Sequence, residues 1–440
     1  MDESKIKQQA RDWIESNWNP EQSLLAWRTK LLESGWGVPS WPKDFFGLGL
    51  TPAKTIEVDE VFSELGAIGA ANSGVRMLAA ATLLEHASDS QKQRYLPGIV
   101  TGAESWCQLF SEPGSGSDLA GATTKAERDG DEWVINGQKV WTTSAHHADF
   151  GLLLARTNWD KPKHQGLTFF VLNMRQPGVE VRQLKQMNGH ASFNEVFFTD
   201  ARIPHENMIG AEENGWPVAI TTLAHERRSF DRNRDGGGLL RRSGPIYDEY
   251  RKEIEIANEP YRWYPQRAGR VDLVVERARE TGAIKDPVIR QEIAKLLMLN
   301  NSAQWTAARA RAAQIAGKPQ GPEGSLGKLA ASNVARLASR VHTMITGSSA
   351  MLTGESSPMN GVIAEILVSV PAVSIAGGTD EIQKNIIAER VLNMPKETRF
   401  DTGPFKDVPR NQANPVSYTH LRAHETPEHR GWRRGRGKKK

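Results

Sequence analysis

Two stretches hold the residues whose chemistry is hardest to assign to packing alone. The first is LFSEPGSGSDLAGATTKAERDGDEWVINGQKVWTTSAHHAD, residues 109–149. Its Ser111 and the Glu112-Pro113-Gly114 turn place a hydroxyl and backbone N–H groups where the electron-rich edge of a ligand could accept hydrogen bonds. The second is LAHERRSF, where Glu226 precedes Arg227 and Arg228. A carboxylate in that setting is either a proton acceptor in a cleft or half of an ordinary surface ion pair. Later, GGTDEIQKNIIAERVL opens with Thr379 as an N-cap, and Asp380 and Glu381 sit favourably against the helix dipole. Metal chemistry finds no support: Cys107 is the single cysteine, no CxxC exists, and His225 lacks companion ligands.

Three textures position these residues along 440 positions, a length that calls for two or three domains. Residues 1–103 read as helical, with Ser88 or Asp89 capping a short helix that Pro97 nears the end of. Residues 104–215 read as β: DG and NG turns at Asp129-Gly130 and Asn136-Gly137, then apolar strands separated by Pro/Gly turns. This predicts an antiparallel barrel or sandwich. Residues 216–400 return to helical period, with a stripe through Leu326, Leu329, Val334, Leu337, Val341 and Ile345 and a connector GKPQGPEG, which predicts a bundle. Residues 231–265, with three consecutive glycines and dense charge, read as a mobile insertion. The fold class is therefore multidomain α+β, with a β domain between two helical ones.

Charge excludes an obvious nucleic-acid role for the body. Residues 414–440 carry eight Lys/Arg against two Asp/Glu, a net of +6 in a chain of net +4, so residues 1–413 stand near −2. Residues 401–440 read as a disordered tail, its basic end foreign to the fold. No apolar run approaches a membrane span, no apolar leader opens the chain, and one cysteine suits a reducing compartment. A cytoplasmic protein is expected.

The order of textures and four motifs together resemble the acyl-CoA dehydrogenase family over residues 1 to about 400. The motifs are GVPSWPKDFFG, the 109–149 stretch, NEVFFTDARIPHENMIG and IAGGTDEIQKNIIAERVL. The resemblance implies FAD, with Leu109 and Phe110 lining the flavin ring, Ser111 on its pyrimidine side, Trp141 packed against it and Thr143 near N5. It implies Ser117, Ser192 and Arg227 on the acyl-CoA side, and Thr379 and Glu381 toward adenosine. Part of the family carries its catalytic glutamate just before a Gly-Thr; here that position is Gly377, whose N–H would polarise the thioester carbonyl. Members resembling isovaleryl- and long-chain acyl-CoA dehydrogenases carry it on an earlier helix, at the position of Glu226. The implied reaction is α,β-dehydrogenation of an acyl-CoA to a trans-2-enoyl-CoA, with an electron-transfer flavoprotein taking the electrons and a homodimer or homotetramer as the assembly.

Two elements depart from the family. The Arg-x-x-Phe-Gly pyrophosphate element becomes ERARETGAIKDPVIRQ, and Gln-x-x-Gly-Gly becomes AMLTGESS, which keeps only Gly354. Both bear on adenine-side FAD binding and keep a second reading open, a non-catalytic partner subunit of a heteromeric dehydrogenase.

Overall fold

The computed structural model describes residues 4–71, 74–229, 237–316, 321, 323–396 and 401–408. The N-terminal helices are α1 (Lys5–Asn17), α2 (Leu24–Ser34), α3 (Pro52–Leu65), α4 (Gly74–His86) and α5 (Asp89–Thr101). Serines cap three of them. Ser4 and Ser23 accept from Lys7 and Ala26 N–H groups, and Ser88 forms a capping box with Gln91. The first three helices bury Ile14, Trp27, Leu31, Val58, Val61 and Ile68 in one core, where the Trp27 indole N–H donates to the Ile68 carbonyl at 2.5 Å.

The middle domain comprises β1 (Trp106–Leu109), β2 (Lys125–Asp129), β3 (Glu132–Thr143), β4 (Phe150–Arg156), β5 (Leu167–Asn173), β6 (Val179–Leu184), β7 (Phe193–Pro204) and β8 (Met208–Ile209). They form one eight-stranded sheet in the order β6-β7-β3-β2-β4-β5-β8, with β1 paired to β4. β4 runs parallel to β1 and β2, so the sheet is mixed rather than wholly antiparallel, and the strand path ends openly at β6 and β8. The Asp129-Gly130 turn is a tight hairpin, with Gly130 at φ 62 and Asp129 opposite Glu132. Asn136-Gly137 is not a turn. Gly137 lies inside β3 at a register shift against β7, with φ 150, and a Cβ there would meet Thr124 Cα at 2.8 Å. The glycine serves close approach of two backbones, which a sequence signal for a turn cannot distinguish.

The C-terminal part contains α6 (Gly215–Ser229), α7 (Pro245–Asn258), α8 (Tyr264–Arg267), α9 (Val274–Glu280), α10 (Pro287–Ile315), α11 (Glu323–Thr346), α12 (Val362–Ser369) and α13 (Asp380–Arg390). Val334, Val341 and Ile345 of α11 pack with Val274, Ala278, Ile293 and Leu296, whereas Leu326, at the start of the expected stripe, is exposed. Most of the GKPQGPEG connector lies outside the described residues.

Two expectations of disorder fail on specific contacts. From residue 237 the insertion is structured: Ile246 and Tyr247 of α7 join the N-terminal core, and the Tyr247 hydroxyl donates to the Gly66 carbonyl at 2.7 Å. Glu253 bridges buried Arg28 at 2.7 Å and Arg76 at 3.1 Å. Charge density had pointed to solvent, but these charges are paired across domains. Residues 230–236, with part of the glycine run, lie outside the described residues. Likewise residues 401–408 dock on the middle domain. Phe405 is buried, its N–H donates to the Lys161 carbonyl, and the buried Arg156 guanidinium lies 3.4 Å from its ring centroid. The remaining tail, 409–440, is outside the described residues.

Candidate active site

The strand pattern of β1 sets the first part of the site. Cys107 and Leu109 point into the core of the middle domain, where burial pushes the Cys107 thiol well above its usual range. Trp106 and Phe110 point the other way, into the core shared with α4, α5 and α6. Leu109 and Phe110, expected together on a flavin ring, thus present opposite faces. Leu109 packs against Gly151, and Phe110 meets Phe169 edge-on at 5.8 Å. Between Trp106 and Phe110 on the helix-facing side lies Gln108, whose amide donates to Glu226 Oε2 at 3.3 Å. The expected base therefore sits beside the strand that leads into the Ser111 turn.

That turn is welded to β3. The Val140 N–H donates to the Ser111 carbonyl at 2.8 Å. The turn closes on itself through Glu112 N–H to Ser115 O at 2.9 Å and Ser115 N–H to Glu112 O at 3.0 Å, so the Glu112 N–H is used internally. Glu112 is buried and accepts from Thr123 N–H, the Thr123 hydroxyl, Thr124 N–H and the Lys139 ammonium. Burial pushes its carboxyl up, but Lys139 and these donors outweigh burial and hold it at about 2. Lys139 is fully buried and also donates to the Phe110 carbonyl at 2.9 Å. Burial outweighs the pull of Glu112 and lowers the ammonium's pKa from its ordinary value. Its two acceptors at 2.9 Å make the charged form the one the site is built around. This pair was missed in the sequence because a lysine on an amphipathic strand reads as solvated.

Beyond Lys139 the strand bulges. Trp141 takes φ 62, in the left-handed region, and is 55% exposed. It rests edge-on against Phe193 at 5.8 Å, and Thr143 is the cross-strand partner of Phe193. Strain of this kind persists where surroundings over-determine it. Phe193 in turn meets buried Trp263, whose indole N–H donates to the Ser192 hydroxyl at 3.1 Å. Ser192 is buried in this contact, so an aromatic ladder runs from Trp141 to the start of α8.

Glu226 lies on α6, which packs against α4. Val218, Ala219 and Thr222 of α6 are buried, and the same stripe one turn on carries Glu226. The Thr222 and Thr82 hydroxyls meet at 2.8 Å and lock α6 to α4. A groove of about 370 Å³ lies between these helices, lined by Met77, Ala80, Ala81 and Leu84 at helical spacing with Trp41, Glu85 and His225. A larger surface groove of about 490 Å³, near His86, Ser88, His205 and Glu206, touches none of the expected site residues. The smaller groove includes His225, the residue before Glu226.

The remaining expected residues fall elsewhere. Ser117 is exposed on the turn after Gly114. Arg227 follows Glu226 on α6, and its side chain lies outside the described residues. Gly377 and Gly378 take φ 68 and φ 87, values glycine adopts without strain. Thr379 caps α13 by accepting from Ile382 N–H at 3.2 Å, and Glu381 is exposed. Asp380, read in the sequence only as a helix-dipole partner, is buried and pairs with Lys328 at 3.3 Å and Arg336 at 3.0 Å of α11. α11 contacts both α6 and α13, so it connects the Glu226 and Gly377 patches.

These residues fit a flavin. A flat, half-exposed indole on a bulged strand offers a stacking face, and the hydroxyl of the next residue, Thr142, is buried without a hydrogen-bond partner. Among the described residues no cluster of three or more His, Cys, Asp or Glu could hold a metal, and no helix is long and apolar enough to cross a membrane.

A helical domain, a mixed-sheet β domain and a second helical domain carrying Glu226 follow one another along the chain. The chain belongs to the acyl-CoA dehydrogenase family: its N-terminal domain matches residues 2–103, its middle domain 107–201 and its C-terminal domain 267–392. It is 33% identical over 424 residues to acyl-CoA dehydrogenase IpdE1 of Mycobacterium tuberculosis, covering 91% of this chain and 100% of that one. Among solved structures it shares the fold of the Tcur3481-Tcur3483 steroid ACAD (TM-score 0.61, 22% identity, 90% and 100% coverage). It likewise shares that of the ChsE4-ChsE5 complex from Mycobacterium tuberculosis (TM-score 0.61, 23% identity, 89% and 97% coverage). Family membership makes it a flavoprotein oxidoreductase acting on acyl-CoA and implies FAD.

Proposed function

We propose that this chain desaturates an acyl-CoA between Cα and Cβ, with Glu226 as the base. The observation that carries the reading is the Gln108–Glu226 contact, which ties the only carboxylate position of the family motifs retained here to the strand entering the Ser111 turn. Bound FAD supplies the acceptor for the hydride that leaves Cβ. Trp141, Ser111 and Thr143 would hold its ring, and Thr379 and Glu381 its adenosine end. Glu226 takes the α-proton as the C=C bond forms. The Gly377 N–H donates to the thioester carbonyl and raises the acidity of that proton. Ser117, Ser192 and Arg227 lie on the substrate side, and the groove over Ala80 and Ala81 receives the acyl chain. Its small residues favour a broad acyl group, in keeping with the steroid ACAD that shares this fold. An electron-transfer flavoprotein takes the electrons, and the working form is a homodimer or homotetramer.

The test is anaerobic mixing of the purified protein with butyryl-, octanoyl-, palmitoyl- and cyclohexanecarboxyl-CoA while following the flavin band. Bleaching in wild type that is lost in Glu226→Gln, with flavin retained, is expected. Equal bleaching in both would remove Glu226 from the mechanism. A colourless protein would turn the reading to a non-catalytic partner subunit.

A further inference from the structure

The structure assigns Gln108 as a positioning residue that orients the Glu226 carboxylate, an inference that rests on Glu226 being the base. On the helix-facing side of β1 the neighbours of Gln108 are Trp106 and Phe110, both buried in an apolar core with Ala79, Leu83, Val218 and Ala219. Gln108 itself is half-buried between them, and an amide partly withdrawn from water favours a polar partner. Its Nε2 donates to Glu226 Oε2 at 3.3 Å, across 118 residues of sequence. A carboxylate can only accept, so the nitrogen side of the amide is the side that faces it.

A glutamate has three rotatable bonds, and a fixed donor selects one arrangement of its carboxylate. The two anchors are independent. Thr222 and Thr82 join at 2.8 Å and fix the helix one turn before Glu226, while Gln108 fixes the carboxylate from the sheet. Catalytic groups need both, since small errors in placement reduce rates steeply.

The test uses flavin-loaded enzyme in anaerobic stopped flow, with the thioester of the panel above that bleaches it fastest. In Gln108→Met the maximal bleaching rate should fall roughly threefold to thirtyfold. The thioester concentration giving half the maximal rate should stay unchanged. The isotope effect from deuterium at the α-carbon should rise, because proton removal alone becomes harder. If Gln108→Met fails to retain flavin, Gln108→Asn, whose amide falls short of Glu226, is read in the same way. An unchanged maximal rate, or a loss confined to half-saturation, overturns the inference. Glu226→Gln is run in parallel. If it is inactive while the Gln108 variants match wild type, only the positioning role fails. If it bleaches at the wild-type rate, the base assignment fails and this inference with it.

Discussion

The Lys139 ammonium, fully buried in β3, lies 2.9 Å from Glu112 Oε1 and 2.9 Å from the Phe110 carbonyl. One cation thus holds both sides of the turn that carries Ser111. Removing either member leaves the other charge buried and uncompensated, which costs about 3–5 kcal/mol. Lys139→Met should therefore lose flavin as well as stability, read as a lower Tm and a lower ratio of visible to ultraviolet absorbance. Retention of full flavin content by Lys139→Met would contradict this coupling.

The same pair sets an acid dependence. Glu112 is held at about 2 in the folded protein against an ordinary 4.5, so the folded state favours its charged form. Its contribution is complete above pH 4.5 and disappears as pH falls through about 2. The Tm difference between wild type and Glu112→Gln should shrink across that window. A difference independent of pH from 5 to 3 would show that the carboxylate's charge is not what the turn uses.

Glu253 joins the insertion to the N-terminal domain through Arg28 and Arg76. Burial pulls the Arg76 guanidinium down, so these cations depend on their shared carboxylate. Glu253→Ala should destabilise by about 3–5 kcal/mol in urea unfolding, and Glu253→Gln, which keeps an acceptor, by less. A loss under about 1 kcal/mol in the alanine variant would mark the bridge as a surface ion pair.

The docked segment 401–408 separates two truncations. A chain ending at 408 should keep the wild-type Tm. One ending at 400 loses buried Phe405 and uncovers Arg156, a change on the order of 3–5 kcal/mol. Equal Tm values for the two chains would show that the docking is not stabilising.

Ala81 lines the groove without belonging to the fully buried core. Ala81→Leu should raise KM for cyclohexanecarboxyl-CoA roughly tenfold or more and for butyryl-CoA much less. Steady-state kinetics on both thioesters checks this, and equal effects would move the acyl group elsewhere.

Local sequence was enough for whatever depends on neighbours along the chain. Ser88 and Thr379 cap their helices because a hydroxyl beside the first turn meets free N–H groups in any tertiary setting. The Asp129-Gly130 hairpin formed for the same local reason. The order of helical and β textures, with the motifs, was enough to place the chain in its family. Partners distant in sequence were not legible. Asn136-Gly137 became a strand interior because β2 lies against it, and the insertion became structured because Arg28 and Arg76 wait for Glu253. Lys139 and Gln108 carry no local signal of a partner, and only the packed structure gives each a carboxylate. The chain encodes which groups need partners, but the low dielectric of the assembled interior decides which partners they must take.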